Sequence, residues 1–94
     1  MADAELRAVL GIVAKSHTLR CDDGTVLEIW RDFNAEETRM RAAPGAPVIR
    51  VDEARLGDFI TEEKILVSEE AIRRLLCDIC SQPEKYKAIV ISPS

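Results

Sequence analysis

The chain contains 94 residues, of which 47% are hydrophobic and 32% are charged, and its formal net charge is -4 at pH 7. This balance is typical of a small globular protein, so residues 1–94 are predicted to form a single domain. No apolar run approaches the roughly 20 residues that span a bilayer, and almost every Arg or Lys has an acidic residue nearby in sequence, so no basic stripe forms. Binding to membranes and direct binding to nucleic acid are therefore not expected. Because the N-terminus also lacks the basic start and apolar stretch of a signal peptide, a cytoplasmic location is expected.

The segment 2–14 fits two different secondary structures. Its leucines and valines recur at a spacing that places them on one face of a helix. The same segment also fits a strand that is interrupted by Gly11. We predict a helix over residues 3–10, followed by a strand that begins near Gly11.

A β-hairpin is predicted over residues 18–30. The Asp-Gly pair at residues 23–24 supplies the positive φ angles that tight hairpin turns require. Since neighbouring side chains of a strand point to opposite faces, Leu27 and Ile29 are predicted to face the core. Trp30 is then predicted to lie on the more exposed face or at its rim.

The middle of the chain gives weaker patterns. Residues 34–37 resemble a helix capping box, but polar residues and Pro44 follow, so a turn or one short helix is expected. Residues 48–51 have the composition of a strand. Residues 65–67 are interpreted as another strand, and a longer helix that starts at Glu62 is the alternative.

The main helix is predicted over residues 68–80. Ser68 is a typical N-cap residue, the two glutamates that follow suit the positive end of a helix, and the apolar residues recur on one face. Gln82-Pro83 ends this pattern, and a strand is predicted over residues 87–91. The sequence therefore predicts an α+β fold, in which a hairpin-containing sheet packs against one main C-terminal helix.

The cysteines and the histidine suggest one possible metal site. His17, Cys21, Cys77 and Cys80 form a candidate Cys3His set, which is a ligand combination suited to tetrahedral zinc. In a cytoplasmic chain, however, the three cysteines are expected to be free thiols, and we predict no bound metal or cofactor. A redox role for the Cys-x-x-Cys pair is not expected, because a reactive pair has its first thiol at a helix N-terminus.

No arrangement of catalytic residues is recognisable in the sequence. The four glycines are isolated from one another, so no phosphate-binding loop is present. His17 is the sole histidine, and no nucleophile, base and orienting group can be assigned around it. An enzymatic function is therefore not indicated, although an enzyme whose site forms between chains stays open.

By elimination, the sequence favours a module that binds another protein as an adaptor, regulator or inhibitor. Lys87, Ile89, Val90 and Ile91 belong to a β-prone segment whose backbone could pair with a partner's strand or with a second copy of the chain, giving a homodimer. Trp30 is a further candidate contact. The alternative functions are a zinc-stabilised Cys3His module and an acidic inhibitor that mimics nucleic acid with its pairs of acidic residues.

Overall fold

The computed structural model describes residues 2–91, and it describes side chains from residue 4 onward. Within this part of the chain the elements are, in order, α1 (Ala2–Val13), β1 (Thr18–Arg20), β2 (Val26–Asp32), β3 (Glu37–Arg41), β4 (Ile49–Asp52), α2 (Glu53–Glu62), α3 (Glu69–Ser81) and β5 (Val90–Ile91). A 3-10 turn, Pro83–Tyr86, connects α3 to β5. The predicted α+β fold class is confirmed, and the structure contains one helix that was not predicted, α2, besides the N-terminal and main C-terminal helices.

The strands form one antiparallel sheet in the order β1-β2-β3-β4-β5. Side chains alternate between its two faces. Leu27, Ile29, Met40 and Val51 are buried on one face and join the helices in a single hydrophobic core. The helices contribute the buried residues Leu6, Leu10, Leu56, Ile60, Ile72, Leu75, Leu76 and Ile79. The opposite face carries none of the helices of residues 2–91, and it is named the open face.

Helix α1 confirms the helical interpretation of the N-terminal segment and extends it to Val13, so the strand expected near Gly11 is wrong. Leu6 and Leu10 lie one helical turn apart, and both are buried in the core. The helix packs against α2 and α3. Packing therefore decides between the two patterns, because only helical spacing buries both leucines on the same side.

The predicted hairpin is confirmed as strands β1 and β2, which pair in antiparallel fashion. Gly24 in its turn has a φ of 90°, a conformation that glycine adopts without steric cost. The carboxylate of Asp23 accepts a hydrogen bond of 2.9 Å from the backbone N–H of Thr25. Leu27 and Ile29 face the core, as the alternation of the second strand predicted.

The expectation for residues 34–41 is wrong in part, because the turn leads into strand β3 and no helix forms there. Thr38 and Met40 are fully buried on the core face of this strand. Arg39 and Arg41 alternate with them and lie on the open face. The outward arginines made the segment look polar, and this concealed the alternation that identifies a half-buried strand.

The strand expected over residues 65–67 is wrong, and a helix that was not predicted, α2, precedes these residues. Residues 65–67 form no strand, and α2 ends at Glu62, where the alternative helix was expected to start. The carboxylate of Asp52 caps α2 by accepting a hydrogen bond of 3.0 Å from a backbone N–H of its first turn. Leu56 and Ile60, one turn apart, are buried in the core. Their contact with the core stabilises a helix that the sequence pattern had not indicated.

The C-terminal part follows the prediction more closely. Helix α3 is confirmed, and the hydroxyl oxygen of Ser68 caps it by accepting a hydrogen bond of 3.1 Å from the backbone N–H of Ala71. The strand expected over residues 48–51 is confirmed as β4, shifted by one residue. The strand expected over residues 87–91 is confirmed only for its last two residues. Since β5 pairs with β4 alone, it lies at an edge of the sheet within the described part of the chain.

Candidate functional site

The open face carries a row of side chains that begins at Trp30. In register, Trp30 of β2 lies opposite Arg39 of β3, Arg39 lies opposite Arg50 of β4, and Arg50 lies opposite Ile91 of β5. Neighbouring strands are about 4.8 Å apart, so the row extends over roughly 14 Å. These four residues are named the Trp30 row. It has an apolar side chain at each end and two arginines between them.

Ion pairs hold the two arginines of the row in place. The carboxylate of Glu37 accepts a hydrogen bond of 3.0 Å from Arg39 and two hydrogen bonds of 2.8 Å from Arg50. Only 6% of the Glu37 side chain is exposed between them. Hydrogen bonding from Arg50 lowers the pKa of Glu37 against the opposing effect of burial, and Arg39 contributes to the same shift. Glu37 is therefore ionised at neutral pH and fixes both guanidinium groups.

Arg41 connects the indole of Trp30 to a second ion pair. Its Nε donates a hydrogen bond of 2.7 Å to Glu28, and its guanidinium carbon lies 5.6 Å from the centre of the Trp30 ring. That distance lies within the range of a cation–π contact. The indole is therefore half-buried among charged neighbours on the open face, which is the face that the sequence predicted for it.

The charged side chains of the open face are mostly paired with one another. Its central titratable side chains are arginines and carboxylates that are joined in ion pairs, and His17 lines a groove beside Glu28, Trp30 and Arg41. A carboxylate held by two guanidinium groups is a weak base and a weak nucleophile. The face therefore presents an aromatic ring among charges that are already fixed by ion pairs.

The predicted contact residues of the C-terminal segment lie in different environments. Lys87 is exposed, and Ile91 lies on the open face at the end of the Trp30 row. Val90 is half-buried and packs against the core, whereas Ile89 lies inside the core with 2% of its surface exposed. The structure therefore places Trp30 and Ile91 on one surface and keeps the side chain of Ile89 away from it.

Ion pairs also hold the first hairpin against α3. Arg73 donates a hydrogen bond of 2.8 Å to the backbone oxygen of Arg20. Arg74 donates one of 3.1 Å to the carboxylate of Asp22. These contacts bring the end of β1 next to the middle of α3, although the two segments are far apart in sequence.

This packing brings three of the four candidate metal ligands into one groove. Cys21 and Cys77 form a disulfide, with Cα atoms 5.8 Å apart, and Cys80 is a free, half-buried thiol in the same groove. The expectation of three free thiols is therefore wrong for Cys21 and Cys77. His17 lines a different groove, and its Nδ1 lies 3.3 Å from the backbone oxygen of Ile29. With this disulfide formed, no group of three or more His, Cys, Asp or Glu side chains within residues 2–91 is placed to hold a metal ion.

A buried ion pair joins the sheet to the start of α2. Arg31 donates two hydrogen bonds of 2.8 Å to the carboxylate of Glu53, and the hydroxyl of Thr38 donates a third of 2.8 Å. Burial opposes ionisation of Glu53, but the bonds from Arg31 and Thr38 and the charge of Arg7 outweigh it and lower its pKa. Every buried side-chain polar atom of the described residues has a partner. The network is therefore satisfied within the fold, and its role is structural.

Acidification is expected to destabilise the fold through Glu53. The pKa of Glu53 in the folded state lies below its usual value of 4.5, so the stabilisation is complete above that value and is lost as the pH falls through the lowered one. Urea unfolding at a series of pH values should show this loss. Glu53→Gln should make the dependence shallower, whereas Glu62→Gln at an exposed position should leave it unchanged. An equally steep loss in Glu53→Gln would show that other groups determine it.

Sequence reasoning identified Trp30 but not the charged residues around it. Arg39, Arg50 and Glu37 were missed because β3 was not recognised as a strand. The available signal was the alternation of Thr38 and Met40 with two arginines, read together with the strand-like composition of β4. Once both strands are in register, the three charged residues fall on one face.

No protein-family model, no curated protein and no solved structure matches this chain. A separate finding concerns the helices: none within residues 2–91 is both long and apolar enough to cross a membrane.

Proposed function

We propose that the chain is a non-enzymatic protein-binding module, which acts as an adaptor, regulator or inhibitor by docking another protein on its open face. The observation that carries this proposal is the Trp30 row, where an indole and two arginines lie on a sheet surface that the described helices leave uncovered. Tryptophan and arginine are enriched among the residues that dominate binding energy at protein interfaces. Because ion pairs fix these arginines before binding, less conformational entropy is lost when a partner docks.

The size and charge of the open face limit the kind of partner that it can bind. Five strands span about 19 Å, and a five-residue strand such as β3 is about 17 Å long. The resulting area is less than half of the roughly 800 Å² that each partner contributes to an interface of standard size. A partner that touches only this face is therefore bound weakly and reversibly. Since arginines and carboxylates occur here in pairs, the matching surface presents both signs of charge around an apolar residue that contacts Trp30.

The β5 edge supplies a second contact next to the open face. The backbone N–H of Asp52 donates a hydrogen bond of 3.0 Å to the oxygen of Ile89, so of the backbone polar groups of Ile89 the C=O points toward β4, while its N–H donates a hydrogen bond of 3.0 Å to the oxygen of Tyr86. Backbone direction alternates along an antiparallel strand, and those of Val90 therefore point away from the sheet. An outward N–H and C=O pair is a template for strand addition. We include a homodimer, or a strand-addition complex with another protein, in the proposal.

Val90→Pro tests the use of this edge. The substitution removes an N–H that points away from the sheet, so the chain is expected to stay folded and to lose self-association or partner capture. Ile91→Pro is the matched control, because it removes an N–H that points toward β4 and should weaken the sheet itself. Light scattering measures mass and circular dichroism measures folding. A folded Val90→Pro variant with the same mass and the same partner affinity as the intact chain would show that the edge is not used.

The other candidate functions have less support from the geometry. A Cys3His zinc module needs His17 near the cysteines, yet His17 lines a separate groove with Trp30 and Arg41. A nucleic-acid mimic needs a continuous acidic surface, but Glu28, Glu36 and Glu37 are each paired with arginine.

We retain a cytoplasmic location as part of the proposal. Disulfides in that compartment are mostly transient or redox-sensing, so the Cys21–Cys77 bond there is expected to exchange with its reduced form.

The docking role of the open face is tested by replacing its aromatic anchor. Trp30→Ala should weaken the binding of a captured partner by about 30-fold or more, which corresponds to about 2 kcal/mol. Phe33→Ala is the matched control, since Phe33 is an aromatic residue with 75% of its surface exposed outside the Trp30 row. Partners are captured with the immobilised full chain, and their affinities for the three proteins are measured by calorimetry. Equal affinities for the intact chain and a folded Trp30→Ala would contradict the proposal.

A further inference from the structure

One groove contains all three cysteines, so it holds a free thiol beside the disulfide. It is an open groove of about 500 Å³ between the first hairpin and the last turns of α3. Its lining includes Cys21, Cys77, Cys80 and the acidic residues Asp22, Asp23 and Asp78. In the oxidised chain, two of the three sulfur atoms are bonded to each other. Reduction of this bond leaves three thiols facing one space.

The spacing of the three cysteines suits a thiolate metal site once the bond is reduced. Sulfur ligands lie about 2.3 Å from tetrahedral zinc, which places two of them roughly 3.8 Å apart. Cys21 and Cys77, whose Cα atoms are 5.8 Å apart, can reach that separation by side-chain rotation. Cys77 and Cys80 are one turn apart on α3, a spacing at which two helical side chains are neighbours.

The charges around the groove favour a cation over a reactive thiolate. The groove lies near the C-terminal end of α3, where the helix dipole is negative. Three carboxylates line it, and its basic side chain, Arg74, is engaged with Asp22 and Glu70. A bound divalent cation stabilises thiolates directly.

We infer that the reduced chain binds one thiophilic divalent cation, with Zn²⁺ as the best match, through Cys21, Cys77 and Cys80. A dithiol reductant transfers two electrons and two protons to the Cys21–Cys77 bond and becomes a disulfide itself. The three resulting thiols then release three protons as the cation binds their sulfur atoms. The fourth position of a tetrahedral ion is taken by water or by a carboxylate of the groove. Oxidation and metal binding are mutually exclusive, so the site responds to the redox state.

Cobalt titration of the full chain tests this inference, because Co²⁺ bound to thiolates gives a characteristic charge-transfer absorption. The anaerobically reduced chain should bind one equivalent of Co²⁺, and Zn²⁺ should displace it. The oxidised chain should show no such absorption. Cys80→Ser should weaken Co²⁺ binding by at least 100-fold, whereas His17→Ala should leave it unchanged. An unaltered affinity in Cys80→Ser, or no thiolate absorption in the reduced chain, would overturn the inference.

A titration in urea separates a folded site from three thiols on a flexible chain. The affinity for Co²⁺ should fall by at least 100-fold when the reduced chain is unfolded in urea, because the fold brings Cys21 next to α3. Equal affinity with and without urea would also overturn the inference. Partner binding through Trp30 is measured separately on the oxidised chain, so failure of the metal site and failure of the docking proposal give different results.

Discussion

Removal of the Cys21–Cys77 disulfide is expected to lower the free energy of unfolding by up to about 4 kcal/mol. The two cysteines are separated by 56 residues in sequence. In the loop-closure model, a cross-link over a loop of this length restricts the unfolded chain by that amount, and the loss is a large share of the roughly 5 to 15 kcal/mol that stabilises a small domain. Urea unfolding of the intact chain and of the Cys21→Ala/Cys77→Ala variant measures the difference.

Cys80→Ala is the control for the effect of replacing a cysteine as such. It removes a half-buried thiol and keeps the disulfide, so a smaller loss of about 1 kcal/mol is expected. Both proteins are compared without reductant. If the double variant were as stable as Cys80→Ala, the disulfide would contribute nothing to the stability of the chain in solution.

Leu76→Ala is expected to lower the free energy of unfolding by about 2 to 5 kcal/mol. Leu76 lies on the buried face of α3 and has no exposed surface. The truncation removes one methine and two methyl groups from the core and leaves a cavity, because the surrounding side chains relax only in part. Urea unfolding, monitored by circular dichroism, measures the change.

Arg74→Ala on the same helix provides the comparison. The Arg74 side chain is 60% exposed, and its ion pairs with Asp22 and Glu70 lie at the surface. Such pairs typically contribute about 0 to 1 kcal/mol. A larger loss from Arg74→Ala than from Leu76→Ala would mean that α3 packs with a different face toward the sheet.

The sequence was most informative where local chemistry decides the structure. Ser68 and the two glutamates after it specify the start of α3, and the Asp-Gly pair specifies the first hairpin turn. Both signals act within a few residues, so they do not depend on the rest of the fold. The same reasoning placed Leu27 and Ile29 in the core and Trp30 on the opposite face.

The sequence was least informative where tertiary contacts decide. Strand β3 buries Thr38 and Met40. Its outward arginines form ion pairs with acidic residues of a neighbouring strand, and these pairs exist only in the folded sheet. Helix α2 depends on burying Leu56 and Ile60 under the rest of the core. A single sequence contains no direct sign of either contact, and local propensity alone favoured other interpretations.

The candidate site was predictable in part for the same reason. Trp30 could be assigned to a face because strand alternation is local. Its neighbours Arg39 and Arg50 belong to other strands, and their positions follow from register. The pairing of Cys21 with Cys77 depends on how the hairpin packs on α3, so spacing in sequence could not reveal it.

The disulfide also closes part of the chain into a covalent ring, which runs from residue 21 to residue 77. Strands β2 to β4, helix α2 and most of α3 lie within this ring. A protease that cuts one peptide bond inside it, for example beside Leu66 with 76% of its surface exposed, releases no fragment. The product is a nicked protein of two linked pieces, heavier than the intact chain by one water. The two pieces separate only when a reductant opens the bond.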